Sequence, residues 1–148
     1  MNIAVVGVGA MGCLLGASLG GLSDVILVGH WPEQVAAIAQ HGLWLEHPDG
    51  RRSHHRPRIT AGIAAVGRVD VALVAVKSRQ TAVAAAEIAR FLAPDGLAVT
   101  LQNGLNNRAT LRGVLGDRRV SLGVTSEGAT VLGVAEVRHA GHGLTHFG

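Results

Sequence analysis

Hydrophobic positions along this 148-residue chain fall into short apolar runs separated by amphipathic stretches. Runs that are apolar at every position are typical of strands buried on both faces of a parallel sheet. Such strands are predicted over residues 3–6, 25–28, 69–76, 98–101 and 120–124. Helices are predicted over residues 10–19, 33–40, 80–92 and 106–115.

Shorter strands fill the remaining segments. Residues 43–46 lead into a turn at residues 47–50, and the polar residues 51–60 are expected to pair back as a hairpin. Near the end of the chain, residues 136–139 and 144–147 are predicted as two short strands around a Gly-His-Gly turn. The alternation of strands and helices predicts one α/β domain with a doubly wound, mostly parallel sheet.

Residues 3–22 form an uncharged run that is long enough for a transmembrane helix or a signal peptide. No Lys or Arg precedes the run, and six of its twenty residues are Gly. It divides into a strand, a glycine turn and a helix, so we expect neither a membrane span nor a membrane partner.

A glycine motif follows the first strand and opens the first helix. Gly7 permits a tight turn, Gly9 allows a pyrophosphate to approach the backbone, and Gly12 brings the helix close to the sheet. In this position the motif predicts a Rossmann-type dinucleotide-binding turn, although a packing turn without ligand and a methyltransferase remain alternatives. The candidate cofactor-binding residues are Gly7, Val8, Gly9, Ala10, Met11 and Gly12.

The end of the second strand bears on the choice of cofactor. Enzymes that use NAD usually carry Asp or Glu there, to hold the ribose hydroxyls. This chain has Val28, Gly29, His30 and Trp31, with no acid to repel a 2′-phosphate. We therefore predict NADP(H), with His30 as a candidate phosphate contact; alternatively, His30 only ends the strand.

The chain carries a small excess of basic residues. Thirteen basic and ten acidic residues give a net charge of +3, and no Phe or Tyr lies among the Arg residues, so a phosphorylated cofactor accounts for the charge better than nucleic acid. Lys77, the only lysine, directly follows a buried strand and is predicted to face the ligand crevice. The arginines at positions 51, 52, 56 and 58 are expected to lie in an exposed loop.

Eight His residues and one Cys show no established metal-ligand spacing, so no metal site is predicted. Cys13 is interpreted as a small packing residue, although its place near a helix N-terminus is expected to lower its pKa. A single Cys excludes an internal disulfide and fits a reducing compartment.

Several ordered motifs resemble the 2-dehydropantoate 2-reductase (ketopantoate reductase) family over the whole chain. They are the glycine motif, Val76-Lys77-Ser78, residues 101–105 (Leu-Gln-Asn-Gly-Leu), residues 123–125 followed by Gly128-Ala129, and residues 143–148. The resemblance implies an NADPH-dependent, cytoplasmic oxidoreductase that converts a small keto acid, 2-dehydropantoate, to pantoate for pantothenate and coenzyme A synthesis.

The resemblance also implies roles for individual residues. Asn103 positions the nicotinamide and the substrate, Ala129 lines the nicotinamide site through its backbone, and Lys77 lies in the cofactor cleft. The general-acid lysine and most substrate contacts belong to a helical C-terminal domain in this family, which we expect to be absent from residues 1–148. Little turnover is therefore expected of this chain alone, and a homodimer is left open.

One departure from the family matters: the family usually has Arg where this chain has His30, which bears on how strongly a 2′-phosphate is recognised. Without the resemblance, Asn103-Gly104 predicts only a simple turn. Other functions also stay open. Another β-hydroxyacid, glycerol-phosphate or opine-type dehydrogenase shares the glycine turn. A stand-alone nucleotide-sensing domain would also bind a nucleotide but perform no chemistry.

Overall fold

Eleven strands form two sheets in the computed structural model, which describes residues 1–148, and four α-helices pack against them. The helices are α1 (Ala10–Leu19), α2 (Pro32–His41), α3 (Thr81–Phe91) and α4 (Asn107–Leu115). The strands are β1 (Asn2–Val6), β2 (Asp24–Val28), β3 (Leu43–Glu46), β4 (Arg52–His55), β5 (Arg58–Thr60), β6 (Val69–Val74), β7 (Leu92–Thr100), β8 (Val120–Thr125), β9 (Gly128–Gly133), β10 (Glu136–Gly141) and β11 (Thr145–Phe147). The predicted α/β class is confirmed.

The larger sheet has seven strands in the order β11-β8-β7-β6-β1-β2-β5. All neighbours pair in parallel except β11, which lies antiparallel to β8. After β1 the chain adds β2 on one side of it and then crosses over to add β6 on its other side. The direction of winding therefore reverses at β1. A parallel sheet of this kind opens a crevice at the carboxyl ends of the strands beside such a reversal.

Alternate side chains of β1 enter two different cores. Ala4 and Val6 pack in the cluster that contains Ile88 of α3 and Leu111 of α4. Ile3 and Val5 pack on the opposite face, with residues that include Leu27. Burial on both faces explains why the strand sequences are apolar at every position. None of the helices has the length and apolar character needed to cross a membrane.

A second sheet, with the order β4-β3-β10-β9, was not predicted from the sequence. The expected hairpin is correct for β4, which pairs antiparallel with β3. It is wrong for residues 58–60, because β5 leaves the hairpin and runs parallel to β2 in the larger sheet. Strand β9 was missed altogether, because its residues are neither continuously apolar nor strictly alternating and it begins and ends with Gly.

Helix α1 lies between the two sheets. One side approaches β2 so closely that a Cβ on Gly16 would lie 2.6 Å from Leu27 Cδ2. The other side packs Cys13, Leu14 and Ala17 against a cluster that includes Val137 of β10. Because α1 is covered on both sides, its sequence is apolar on both faces.

The tightest approach at any glycine of the fold joins α1 to the end of β1. A Cβ on Gly12 would lie 1.8 Å from the carbonyl oxygen of Gly7. Gly7 itself has a φ of +116°, and a Cβ there would lie 2.8 Å from the backbone of Ala75. Gly12 is therefore required because there is no space for a Cβ, and Gly7 is required both for space and for its positive φ.

Replacing Gly12 with Ala should destabilise the fold by about 3 kcal/mol or more, because backbone rather than a flexible side chain would have to move. Gly113 of α4 is a matched control, since a Cβ there has no neighbour within 4 Å. Gly113→Ala should stabilise the chain by about 0.5–1 kcal/mol through its higher helix propensity. Denaturant unfolding of both variants would measure the difference, and equal free energies of unfolding would contradict the close approach.

Candidate functional site

A cleft of about 450 Å³ lies beyond the carboxyl ends of β1, β2 and β6. The glycine turn forms one wall with Gly7 and Gly9, and His30 follows β2 on a second wall. A third wall comes from the segment after β6 and from α3, which contribute Lys77 and Glu87. The cleft therefore occupies the crevice that the reversal of winding at β1 creates.

The glycine turn leaves the N-terminus of α1 available to an anion. Gly9 is the N-cap residue, no side chain caps the helix, and its first turn contains no acid. A Cβ on Gly9 would meet nothing within 4 Å, so the backbone faces open space at this point. Free N–H groups and the positive end of the helix dipole suit a phosphate there.

Gln34 of α2 fixes the back of the glycine turn, and sequence reasoning missed it. Its side chain is fully buried, and its amide nitrogen donates to the carbonyl oxygen of Val8 at 3.1 Å. Its amide oxygen accepts from the N–H of Ala135 at 2.8 Å. Gln34 thus connects the turn to the β9–β10 connection across 101 residues. Nothing in the sequence distinguished it from the other polar residues of α2.

The His30 end of the cleft contains an acid that sequence reasoning did not place there. Nε2 of His30 lies 2.7 Å from Oε1 of Glu87, which comes from α3, 57 residues away. The side chain of Glu87 is only 18% exposed, while that of His30 is 54% exposed. The expectation that no carboxylate faces this end is therefore wrong, because the acid arrives from a helix instead of the second strand.

Two cations lie along the same wall of the cleft. Lys77 ends the segment after β6, is exposed, and lines both this cleft and a neighbouring one. Arg79, which sequence reasoning did not single out, lines the first cleft with His30 and Trp31. Neither cation is in an ion pair with a protein carboxylate, so both can meet an anionic ligand.

The neighbouring cleft, of about 350 Å³, is reached past Lys77 and includes Met11, Asn103 and Glu127. The carbonyl oxygen of Asn103 accepts from Ser78 Oγ at 2.9 Å, which ties its loop to the segment after β6. The side chain of Asn103 is exposed. The structure thus brings Lys77 and Asn103 together at one cleft, as their positions after adjacent strands predicted.

A buried polar network holds these two loops in place. Gln102 Nε2 donates to the carbonyl oxygen of Val76 at 2.7 Å and to Thr81 Oγ1 at 2.9 Å. Asn107 of α4 accepts from Thr81 Oγ1 at 2.9 Å and donates to the carbonyl oxygen of Asn103 at 2.9 Å. Because these bonds connect both loops to the buried side chains of Thr81 and Asn107, the loops are held relative to each other.

Other predicted residues lie away from the clefts. Ala129 packs in the cluster beside α1 with Met11, and neither cleft includes it, so its role at the nicotinamide stays a prediction. Arg52 and Arg58 pair with Glu136 and Asp24, at 3.1 and 3.0 Å, on exposed surface.

The thiol of Cys13 behaves differently from the expectation drawn from its position near a helix N-terminus. Burial raises the pKa of Cys13 to about 11, although the side-chain hydrogen bond from Gln34 opposes that shift. Desolvation therefore outweighs the helix terminus, and the thiol stays protonated at neutral pH. Cys13 is a packing residue in the cluster beside α1.

The winding of the sheet, the glycine turn and the position of the cleft define a Rossmann-type domain. The sequence profile of the family described as Ketopantoate reductase PanE/ApbA matches residues 3–148. The chain therefore belongs to the ketopantoate reductase family, a family of oxidoreductases.

Individual relatives agree with this assignment. The chain is 38% identical over 150 residues to a 2-dehydropantoate 2-reductase of Halobacterium salinarum, covering all of this chain and 49% of the relative. It superposes with a TM-score of 0.91 on a PanE/ApbA family ketopantoate reductase from Ralstonia eutropha, which is 34% identical, covering 99% of this chain and 49% of that one. A D-mandelate dehydrogenase solved with NADH and anilino(oxo)acetate gives the same TM-score at 26% identity, covering 99% and 48%. The chain spans about half the length of the curated relatives it matches.

Proposed function

We propose that this chain is the cofactor-binding domain of an NADPH-dependent 2-dehydropantoate 2-reductase. The observation that carries the proposal is the open backbone of Gly9 at the uncapped N-terminus of α1, at the mouth of the main cleft. The pyrophosphate of a dinucleotide would bind there, with Gly7 to Gly12 as its cradle. When bound, the nicotinamide cofactor supplies the hydride that reduces the keto group.

Each remaining candidate residue has a part in this proposal. Asn103, a positioning residue, would hold the nicotinamide carboxamide or a substrate hydroxyl through its exposed amide. Lys77, at the junction of the two clefts, would attract a phosphate or a substrate carboxylate. Ala129 would border the nicotinamide site through its backbone. A keto acid is accommodated in the second cleft, beside Asn103.

NADP(H) is proposed over NAD(H) because cations outnumber the single acid at the His30 end of the main cleft. Arg79 would supply a guanidinium for the 2′-phosphate, with His30 as a second contact. Glu87 opposes this preference, since its carboxylate would repel a phosphate and could accept a bond from a ribose hydroxyl. The preference therefore depends on the balance between His30 and Arg79 on one side and Glu87 on the other.

Gly9→Ala should leave the fold intact, because the added methyl group meets no atom within 4 Å. It should weaken NADPH and NADH alike by about tenfold or more, since the methyl group would occupy the space of the pyrophosphate. Calorimetric titration with each dinucleotide, alongside a thermal unfolding curve, separates binding from stability. Unchanged affinity in a folded Gly9→Ala chain would contradict the cradle, as would a wild-type chain that binds neither dinucleotide.

The same titration tests cofactor preference. Glu87→Gln removes a carboxylate while preserving shape, so it should tighten NADPH about threefold to tenfold and leave NADH unchanged or weaker. His30→Ala should weaken NADPH more than NADH. Equal binding of the two dinucleotides by wild type would reject the NADP preference, and equal losses in His30→Ala would remove the histidine from the 2′-phosphate site.

Residues 1–148 alone should show little or no NADPH oxidation with 2-dehydropantoate. The general acid and most substrate contacts are assigned, by the family resemblance, to a helical domain outside this chain, and hydride transfer without a proton donor leaves the alkoxide unprotonated. Absorbance of NADPH with and without the keto acid measures this. Formation of pantoate at a rate typical of an enzyme would show that the chain is catalytically sufficient.

A second candidate function keeps the domain and changes the substrate. The equally high superposition on D-mandelate dehydrogenase favours another 2-keto acid as substrate, reduced by the same chemistry. Comparing 2-dehydropantoate with an aryl keto acid, in a protein that carries the whole enzyme, would discriminate between the two substrates.

A further inference from the structure

Three side chains of types that can ligate a metal lie together at the edge of the second cleft, although no metal-ligand spacing is recognisable in the sequence. They are Glu127, which precedes β9, His139 of β10, and His142 in the following turn. One ligand atom from each lies within 4.8 Å of the others. Oε2 of Glu127 is 2.5 Å from Nε2 of His139, and the rings of His139 and His142 meet edge to face with centroids 4.5 Å apart.

The backbone holds these three side chains in place. Residues 126 and 144 exchange two hydrogen bonds: the N–H of Ser126 donates to the carbonyl oxygen of Leu144 at 3.0 Å, and the N–H of Leu144 donates to Ser126 Oγ at 2.9 Å. Gly143 lies so close to this segment that a Cβ would come within 2.3 Å of the Ser126 carbonyl carbon. The turn that bears His142 is therefore fixed against the segment that bears Glu127.

We propose that Glu127, His139 and His142 form a binding site for a divalent transition-metal ion of the Zn²⁺ type. Two imidazoles and one carboxylate are a ligand set that binds Zn²⁺ while leaving a fourth position for water or another ligand. Ligand atoms on tetrahedral Zn²⁺ lie about 3.3 Å apart, so Glu127 and His139 need only separate by less than 1 Å. The inference is independent of which dinucleotide the main cleft binds.

Burial and charge agree with a bound cation. The His139 side chain is only 9% exposed, so one ligand is fixed by packing, while His142 is exposed and can adjust. Glu127 is half-buried and supplies the one carboxylate of the ligand set. Glu127 also lines the cleft that contains Lys77 and Asn103, so the fourth position lies beside the proposed substrate site.

This site could not be recognised from the sequence, because the three residues do not have a spacing typical of metal ligands. His139 follows Glu127 by twelve positions in the sequence. The pairing of β9 with β10 is irregular between His139 and Gly141, and this irregularity turns the chain before His142. Pairing of β9 with β10 brings the distant glutamate to the two histidines. The prediction of no metal rested on sequence spacing alone, and the proposal departs from it on this geometry.

Isothermal titration of the chelator-treated 148-residue chain with Zn²⁺ tests the proposal. We expect one saturable site that His142→Ala and Glu127→Gln each weaken at least about tenfold. His41→Ala, which removes an exposed histidine at the end of α2, should leave binding unchanged. Visible absorption of bound Co²⁺ would report whether the ligands are tetrahedral.

Thermal unfolding of each variant separates loss of metal binding from loss of the fold. His142→Ala is the variant least able to disturb the fold, because His142 is exposed. Absence of saturable Zn²⁺ binding would overturn the proposal, leaving Glu127 and His139 as an ion pair only. Binding that survives in both folded ligand variants, or that is lost in His41→Ala, would place the metal elsewhere and equally reject the site.

Discussion

The fold depends on one steric constraint, the contact between the start of α1 and the end of β1. Gly12 lies against the carbonyl oxygen of Gly7 with no room for a Cβ, and Gly7 in turn lies close to the backbone of the segment after β6. This contact sets how near α1 comes to the larger sheet. It therefore also sets the direction of the helix N-terminus, the opening of the main cleft and the width of the gap that the second sheet fills.

The second sheet makes α1 a central helix. In an open α/β fold a helix usually has one face against the sheet and one against water. Here Cys13, Leu14 and Ala17 face β10 and its neighbours, so both faces are covered. Gln34 connects the two parts of this arrangement, because its buried amide bonds both the carbonyl oxygen of Val8 in the glycine turn and the N–H of Ala135.

Sequence reasoning succeeded where the signal is local and failed where it is not. Strands such as β1 and β2 are apolar on both faces, and the glycine motif has its chemistry in consecutive residues, so the parallel sheet and the main cleft could be predicted. Strand β9 could not, because its residues are neither continuously apolar nor strictly alternating. The approach of Glu87 to His30 depends on tertiary packing across 57 residues, which no local pattern encodes.

The link between Gln34 and Ala135 has a consequence for the order of folding. The glycine turn has its partner Gln34 once residue 34 has been made, yet the amide oxygen of Gln34 receives its own hydrogen bond only after residue 135 has been made. Contacts of such long sequence separation form late, because the loop that they close is costly in entropy. The residue that holds the back of the glycine turn is therefore fully bonded only late in synthesis, and a nascent chain that stops before Ala135 leaves the buried amide oxygen of Gln34 without this donor.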